Sequence, residues 1–181
     1  RNAPLAPLLR DRVALRRELS RLGVPLPKCD PAASNCIMSR KAVRAAEHLG
    51  FPVVVKAGAR ECRAGVFLNL NTADEVRAAV ERARPFSNNV SVEALVAGQS
   101  CKLLVVNHAL LGAFDSGVKV PVADVHPSIT DLACRLSREL GVGMLLLDVV
   151  TADFGRPLAE TGGAVVDCDL APQLDRLLAD D

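Results

Sequence analysis

The chain contains no tryptophan or tyrosine, and its five phenylalanines leave aromatic residues at 3% of the 181-residue sequence. Proteins that bind single-stranded nucleic acid stack bases on aromatic rings, so this scarcity argues against a base-stacking surface. The formal net charge is only +1, and no overall field draws the chain to nucleic acid or to a membrane. We therefore expect neither nucleic acid nor a membrane among its partners.

Long apolar runs are also absent, and no stretch approaches the ~20 residues needed to cross a bilayer. No secretory signal peptide is recognisable, and the first residue is arginine, which favours a piece of a larger protein. The six cysteines form no Cys-x-x-Cys pair, and the nearest pair, Cys29 and Cys36, lacks a second pair at zinc-ligand spacing. We interpret the cysteines as reduced thiols in a cytoplasmic protein. The P-loop, Gly-x-Ser-x-Gly and dinucleotide motifs are missing too.

Hydrophobic residues make up 50% of the chain and charged residues 24%, which is enough for one compact domain or two small lobes with a real core. Apolar periodicity predicts helices over residues 10–22, 39–49 and 127–140, and β-branched runs predict strands. The predicted strands cover residues 51–56, 65–70, 90–95, 102–106, 110–114, 144–150 and 164–168. The mixture indicates an α+β fold with mostly antiparallel sheets flanked by helices.

Helix ends and connections carry their own signals. Ser39 is a candidate N-cap for the second helix. Thr72, with Glu75 three residues later, predicts a capping box for a further helix that runs to about residue 84. The polar segment 115–125 is predicted to be irregular, and residues 174–179 are predicted to form a terminal helix.

Three aspartates follow apolar, strand-like runs near the end of the chain. Asp148 lies in one run, whereas Asp167 and Asp169 lie two residues apart in the next and so project from one face of a strand. Carboxylates that converge at strand ends suit Mg²⁺ and the phosphates that accompany it. The alternative is a pair of solvated strand ends, and the pattern alone leaves both interpretations open.

A lysine and a short loop are candidates for phosphate binding. Lys56 ends an apolar strand, where its ammonium group can act as a point charge for a phosphate. The loop over residues 58–65 carries Arg60 and Arg63 between two glycines and could close over phosphates. The alternatives are a lysine that snorkels at a strand end and an ordinary surface loop, since the loop is poor in glycine.

Glu93 and Leu95 stand at the end of another predicted strand. Strand alternation places Glu93 on the face opposite Val90 and Val92. The apolar residues 95–98 that follow could frame an aromatic ring such as adenine. The alternative is a solvent-facing glutamate on an edge strand, and these residues by themselves favour neither.

Five segments together resemble the ATP-grasp domain, in particular that of cyanophycin synthetase-like ligases. The most specific is Arg-Pro-Leu-Ala-Glu-Thr-Gly-Gly-Ala at residues 156–164. It forms the fifth segment together with residues 125–127 and 147–151, and the other four lie within residues 10–27, 49–56, 65–76 and 92–106. The resemblance implies a single ATP-grasp-like domain over residues 1–181 that holds ATP between two lobes. Residues 1–50 with 107–181 would form the larger lobe, and residues 51–106 the smaller.

The family implies an ATP- and Mg²⁺-dependent ligase. A substrate carboxylate attacks the γ-phosphate to give an acylphosphate, and an amine then displaces phosphate to form an amide bond. Amino acids or a short peptide would be the substrates, and flanking domains or a homo-oligomer stay open as partners. By motif position the phosphates would meet Lys56 and Arg12, with Arg60 and Arg63 in the covering loop. Adenine would meet Glu93 and Leu95, and Mg²⁺ would meet Asp148, Asp167 and Asp169.

Several positions depart from the family pattern. Asp167-Cys168-Asp169 replaces a Glu-x-Asn metal pair, and Ser100 stands where the family has a carboxylate. The phosphate loop has lost glycines, and the segment between residues 114 and 126 is short. These departures favour a second hypothesis, a degenerate, non-catalytic ATP-grasp domain that serves as a nucleotide-binding or structural module.

Overall fold

A computed structural model describes residues 5–30, 38–58, 65–115 and 118–172. These residues divide into two compact units. Among the described residues, the N-terminal unit contains residues 6–18 and 27–95, and the C-terminal unit contains Leu5 and residues 19–26 and 96–172. The division differs from the expected lobes, because residues 6–18 and 27–50 group with the smaller lobe and residues 96–106 with the larger. That the units together form one ATP-grasp-like domain stays a prediction.

The first half of the chain forms four helices and three strands within the described ranges. The helices are α1 (Leu5–Arg10), α2 (Arg12–Arg21), α3 (Ser39–Leu49) and α4 (Ala73–Ala83), and the strands are β1 (Val53–Ala57), β2 (Val66–Leu70) and β3 (Val90–Ala94). The strands form an antiparallel sheet in the order β2-β1-β3.

One face of this sheet carries the core of the N-terminal unit. Apolar residues of α3 and α4 pack against alternate positions of β1 and β3, which include Val53, Val55, Val90 and Val92. Because side chains alternate along a strand, the intervening positions face the other side of the sheet. Those positions hold Lys56 on β1 and Glu93 on β3, and alternation alone had already assigned Glu93 to this side.

The second half of the chain forms five strands and two α-helices among its described residues. The strands are β4 (Gln99–Val106), β5 (Ala109–Asp115), β6 (Val118–Val120), β7 (Met144–Thr151) and β8 (Ala164–Asp169), and the helices are α5 (Pro127–Leu140) and α6 (Leu158–Thr161). The strands form an antiparallel sheet in the order β6-β5-β4-β7-β8. Helix α5 packs on β4, β5 and β7.

The α+β class and the antiparallel sheets were therefore predicted correctly. The capping box of α4 is also confirmed, because the Thr72 hydroxyl accepts a hydrogen bond from the Glu75 N–H at 3.2 Å and the Glu75 carboxylate accepts one from the Thr72 N–H at 3.1 Å. The predicted terminal helix over residues 174–179 lies outside the described residues. No helix within the described ranges has the length and apolar character to cross a membrane.

Three local predictions were wrong. The helix predicted over residues 10–22 is broken at Asp11, whose carboxylate accepts hydrogen bonds from the N–H groups of Val13 and Ala14 and so starts α2 afresh. Ser39 is the first residue of α3 rather than its N-cap. The N-cap is Met38, whose side chain makes no capping hydrogen bond. The segment 115–125 contains β6 and a 3₁₀ turn, Val122–Asp124, rather than irregular chain alone.

Candidate functional site

Lys56 and Glu93 bind each other on the face of the N-terminal sheet that lies opposite α3 and α4. The Lys56 Nζ donates to Glu93 Oε2 at 2.7 Å. The other carboxylate oxygen, Oε1, accepts a hydrogen bond from Nη1 of Arg16 at 3.2 Å. Arg16 also donates through Nη2 to the Pro27 carbonyl. One carboxylate is thus held between two cations.

This triad of Arg16, Lys56 and Glu93 is largely withdrawn from solvent. Lys56 is 8% exposed and Glu93 5%, and the Arg16 side chain is 23% exposed. The alternatives of a snorkelling lysine and a solvent-facing glutamate are therefore wrong. Charges at this depth are tolerated only when they are paired and hydrogen-bonded, and the triad satisfies that requirement.

Glu93 is buried although β3 is an edge strand of its sheet. The backbone of Glu93 pairs with Cys29 in an isolated antiparallel bridge, and the Ala94 N–H donates to the Lys28 carbonyl at 2.8 Å. The incoming chain over residues 28–29 therefore covers the outer edge of β3. Burial raises the pKa of the Cys29 thiol, and the positive charge of the nearby Arg16 guanidinium offsets only part of that rise. This thiol is therefore a poor nucleophile.

Arg16 is the member of the triad that sequence analysis missed. It lies 77 residues before Glu93, and nothing in the local pattern of α2 distinguishes it from its neighbours. Its spacing from Arg12 is the available signal, because residues four apart on a helix share one face.

Of the remaining predicted nucleotide contacts of this unit, the structure describes Arg12 and Leu95. The Arg12 N–H donates to the Gly58 carbonyl at 3.0 Å, which ties the start of α2 to the chain just after β1. Leu95 is half-buried beyond the end of β3, and its N–H donates to the Pro52 carbonyl at 3.1 Å. Arg60 and Arg63 lie outside the described residues.

In the C-terminal unit, two of the three predicted aspartates face each other across neighbouring strands. Asp148 on β7 is the register partner of Asp167 on β8, and on its other side Asp148 is the partner of Lys102 on β4. Directly opposed residues have their side chains on the same face, about 5 Å apart at Cβ. The hydroxyl of Ser100 donates to Asp148 Oδ1 at 2.7 Å.

Asp169 lies one pleat further along β8. It is the register partner of Leu146 rather than of an acid, and its Oδ1 accepts a hydrogen bond from the Ala171 N–H at 3.1 Å. Asp167 Oδ1 similarly accepts from the Cys168 N–H at 2.9 Å. Within the part of the chain that the structure describes, no group of three or more His, Cys, Asp or Glu side chains is arranged to hold a metal.

The donor set still fits one particular kind of magnesium site. Mg²⁺ in phosphoryl-transfer proteins is bound by one or two carboxylates together with phosphate oxygens and water, not by a cage of protein ligands. The opposed pair Asp148 and Asp167 supplies two hard oxygen donors on one face. A metal that arrives with a polyphosphate suits this pair, whereas a metal held by protein alone does not.

Comparison with solved structures identifies the architecture, and the chain has the ATP-grasp fold. An ATP-grasp RimK domain protein from Sphaerobacter thermophilus matches 97% of the chain at a TM-score of 0.71 and 25% identity, over 67% of its own length. The biotin carboxylase domain of a 2-oxoglutarate carboxylase from Hydrogenobacter thermophilus, solved as a dimer with MgADP, ADP and bicarbonate, matches 93% at a TM-score of 0.70 and 16% identity, over 41% of its length.

The sequence comparisons are narrower. A cyanophycin synthetase from a Synechocystis strain is 39% identical over 49 residues, which are 27% of this chain and only 6% of that protein. No family model matches the chain. The likeness to known proteins is therefore one of fold along nearly the whole chain and of sequence over a short stretch.

Proposed function

We propose that this chain provides the ATP-binding machinery of a carboxylate–amine ligase that forms an amide bond through an acylphosphate, as cyanophycin synthetase-like ligases do. The observation that carries the proposal is the buried Lys56–Glu93 pair on an ATP-grasp scaffold. Burying a charged lysine is costly, and a fold of this size gains little stability from such a pair over apolar side chains. A functional role for the ammonium group explains why the pair is there.

In the N-terminal unit, Lys56 supplies the positive charge for the phosphates of ATP, and Arg12 stands near the end of β1 as a second cation. Glu93 holds the Lys56 ammonium in place through its 2.7 Å hydrogen bond. A lysine positioned before the substrate arrives loses less entropy on binding and is better aimed at the charge that develops on the transferred phosphoryl group. Leu95 offers an apolar contact for adenine, and Arg60 and Arg63 remain proposed loop contacts.

In the C-terminal unit, Asp148 and Asp167 are the proposed ligands of the Mg²⁺ that accompanies ATP, with Asp169 as a third acid on the same strand face. When bound, Mg²⁺ neutralises charge on the phosphates and orients them for attack. Ser100 orients the Asp148 carboxylate through its hydroxyl.

Thermal unfolding in the presence of MgATP tests the proposal. A ligand at 100 times its Kd stabilises by about 2.7 kcal/mol, and a chain of this size gains about 2–4 °C in Tm per kcal/mol. We therefore expect a rise of roughly 5–11 °C with saturating MgATP. Lys56→Met and Asp167→Asn should each abolish most of that rise, and chelation of Mg²⁺ should reduce it in the unsubstituted protein.

Matched substitutions separate this from general charge effects. Lys119→Met on β6 and Asp131→Asn on α5 change exposed charges of the same types and should leave the MgATP-induced rise intact. No rise at millimolar MgATP would refute nucleotide binding. A rise without release of ADP and phosphate, when amino acids or short acidic or basic peptides are offered as acid and amine, would support the non-catalytic nucleotide-binding module instead.

A further inference from the structure

Two adjoining cavities lie along the outer surface of α3, within the N-terminal unit. The larger has a volume of about 620 Å³, and its described lining residues are Asp30, Lys41, Arg44, Ala45 and His48. The smaller, of about 370 Å³, is lined by side chains that include Arg40, Lys41, Arg44 and Arg77. Lys41 and Arg44 belong to both cavities, and volumes of this order accommodate a small molecule.

The spacing of the lining residues explains the concave shape. Lys41, Arg44, Ala45 and His48 stand at positions i, i+3, i+4 and i+7 of α3, so they form one stripe along the helix. Ala45 is buried and its short side chain leaves a gap between the longer ones. Asp30 forms the facing wall, and its carboxylate already pairs with the His48 ring at 3.0 Å.

Several arginines outside this stripe form an ion pair with an acid nearby in the chain. Arg77–Asp74, Arg84–Glu81, Arg135–Glu139 and Arg156–Glu160 are such pairs, each three or four residues apart, whereas Arg17 and Arg138 form no ion pair among the described residues. On α3, Arg44 stands three residues before Glu47, yet no ion pair within the described residues joins them or engages Arg40 or Lys41. Three cations thus point into or beside a cavity without an acidic partner among the described residues.

This arrangement costs stability in the unliganded chain. Arg40 and Arg44 are like charges at i,i+4, and Lys41 and Arg44 are like charges at i,i+3, both of which destabilise a helix slightly. Arg40 and Lys41 also lie in the first turn of α3, which contains no acid, at the end of the helix dipole that repels cations. An anion in the cavities would offset all three repulsions.

We propose that these cavities bind a small molecule that carries at least two anionic groups, phosphate or carboxylate, held chiefly by Lys41 and Arg44. Two separate anionic groups match cations that line both cavities. Guanidinium groups bind both phosphate and carboxylate oxygens in a bidentate manner, and lysine adds a point charge. The site is independent of the proposed nucleotide contacts, since none of its residues is among them.

Isothermal titration calorimetry with pyrophosphate and citrate as the probes tests the site. Inorganic phosphate and acetate, which each carry a single anionic group, serve as comparisons, and ionic strength is matched with sodium chloride. Pyrophosphate or citrate should bind more tightly than the single-group anions. The double variant Lys41→Gln/Arg44→Gln should weaken that binding by about tenfold or more. Arg84→Gln, a change of an exposed arginine at the C-cap of α4, should leave it unchanged. Tighter binding of pyrophosphate would assign phosphate chemistry, and tighter binding of citrate would assign carboxylate chemistry.

Both substituted side chains are exposed, so the double variant should unfold at the same temperature as the unsubstituted protein. Equal binding by the double variant would overturn the proposal, as would no binding of either probe at millimolar concentration. Loss of binding in Lys56→Met with no loss in the double variant would also overturn it, because the anions would then occupy the proposed nucleotide site. If only the double variant lost anion binding, the proposed anion site would be supported even if MgATP did not bind to the protein.

Discussion

The Arg16–Glu93–Lys56 triad makes a quantitative prediction about the substitution Glu93→Gln. The change keeps the shape of the side chain but removes its charge, which is shared by Lys56 at 2.7 Å and Arg16 at 3.2 Å. The Lys56 side chain is only 10% exposed, so its ammonium would remain buried opposite a neutral amide. Arg16, which is more exposed, can shift part of its charge into water.

The size of the effect follows from that difference in exposure. Breaking a buried ion pair by removing one partner costs about 3–5 kcal/mol, because the remaining charge is left uncompensated. We expect Glu93→Gln to fall in this range. Lys56→Met should cost less, about 1–3 kcal/mol, since Glu93 keeps the hydrogen bond from Arg16. The double variant should then lose less than the sum of the two single variants, because it leaves no unpaired lysine.

Urea denaturation of the four proteins, followed by circular dichroism, measures these differences as a double-mutant cycle. Glu81→Gln is the matched control, because Glu81 forms an exposed pair with Arg84 on α4 and should cost no more than about 1 kcal/mol. A loss below about 1 kcal/mol for Glu93→Gln, or strict additivity in the cycle, would refute the assignment of a buried, doubly bonded carboxylate.

Three further predictions concern single sites. Gly98→Ala should destabilise by about 1–3 kcal/mol or more in urea titrations, because Gly98 has φ +137° and an added Cβ would lie 2.3 Å from the Thr151 carbonyl group. Gly143→Ala should be nearly neutral, because its added Cβ would meet Asn107 Oδ1 at an ordinary contact distance of 3.9 Å. Thr72→Ala should lower the free energy of unfolding by about 0.5–2 kcal/mol through loss of the capping box, and Thr72→Ser should retain most of it. Because burial raises the pKa of the Cys29 thiol above 9.0, iodoacetamide should alkylate it more slowly in the folded protein than in urea at neutral pH. The stability that the neutral thiol contributes should be present below pH 9.0 and be lost as the pH rises through the higher folded-state pKa; equal alkylation rates in both states would contradict this.

Sequence patterns predicted which residues lie on each face of the N-terminal sheet, but not which other parts of the chain pack on those faces. Alternation in residues 90–95 correctly separated Glu93 from the core side of β3. Lys56, in a strand whose five residues are all buried, was equally visible as a polar residue in an apolar run. The partner Arg16 was not, because its contact with Glu93 depends on where α2 packs, and a tertiary contact across 77 residues leaves no local periodicity.

The aspartates show a different limit. A spacing of two correctly predicts that Asp167 and Asp169 share a strand face, but it cannot predict the register of that strand against its neighbour. The register shifts between Asp148 and Val149, so that Asp148 faces Asp167 while Val149 faces Val165. A slip of one residue moves a side chain to the other face of a sheet, and this irregularity therefore decides that Asp148 and Asp167 meet.

Burial determines whether a charged side chain of the N-terminal unit needs a partner of opposite charge. Where burial makes an unpaired charge costly, as at Lys56, the fold supplies a carboxylate and a second cation. On the outer stripe of α3 the cost of an unpaired charge is small, because water solvates Lys41 and Arg44, and selection for stability alone would readily place a glutamate to pair with them. A surface that keeps three like charges around a cavity, with no acid paired to them among the described residues, is better explained by a ligand than by packing.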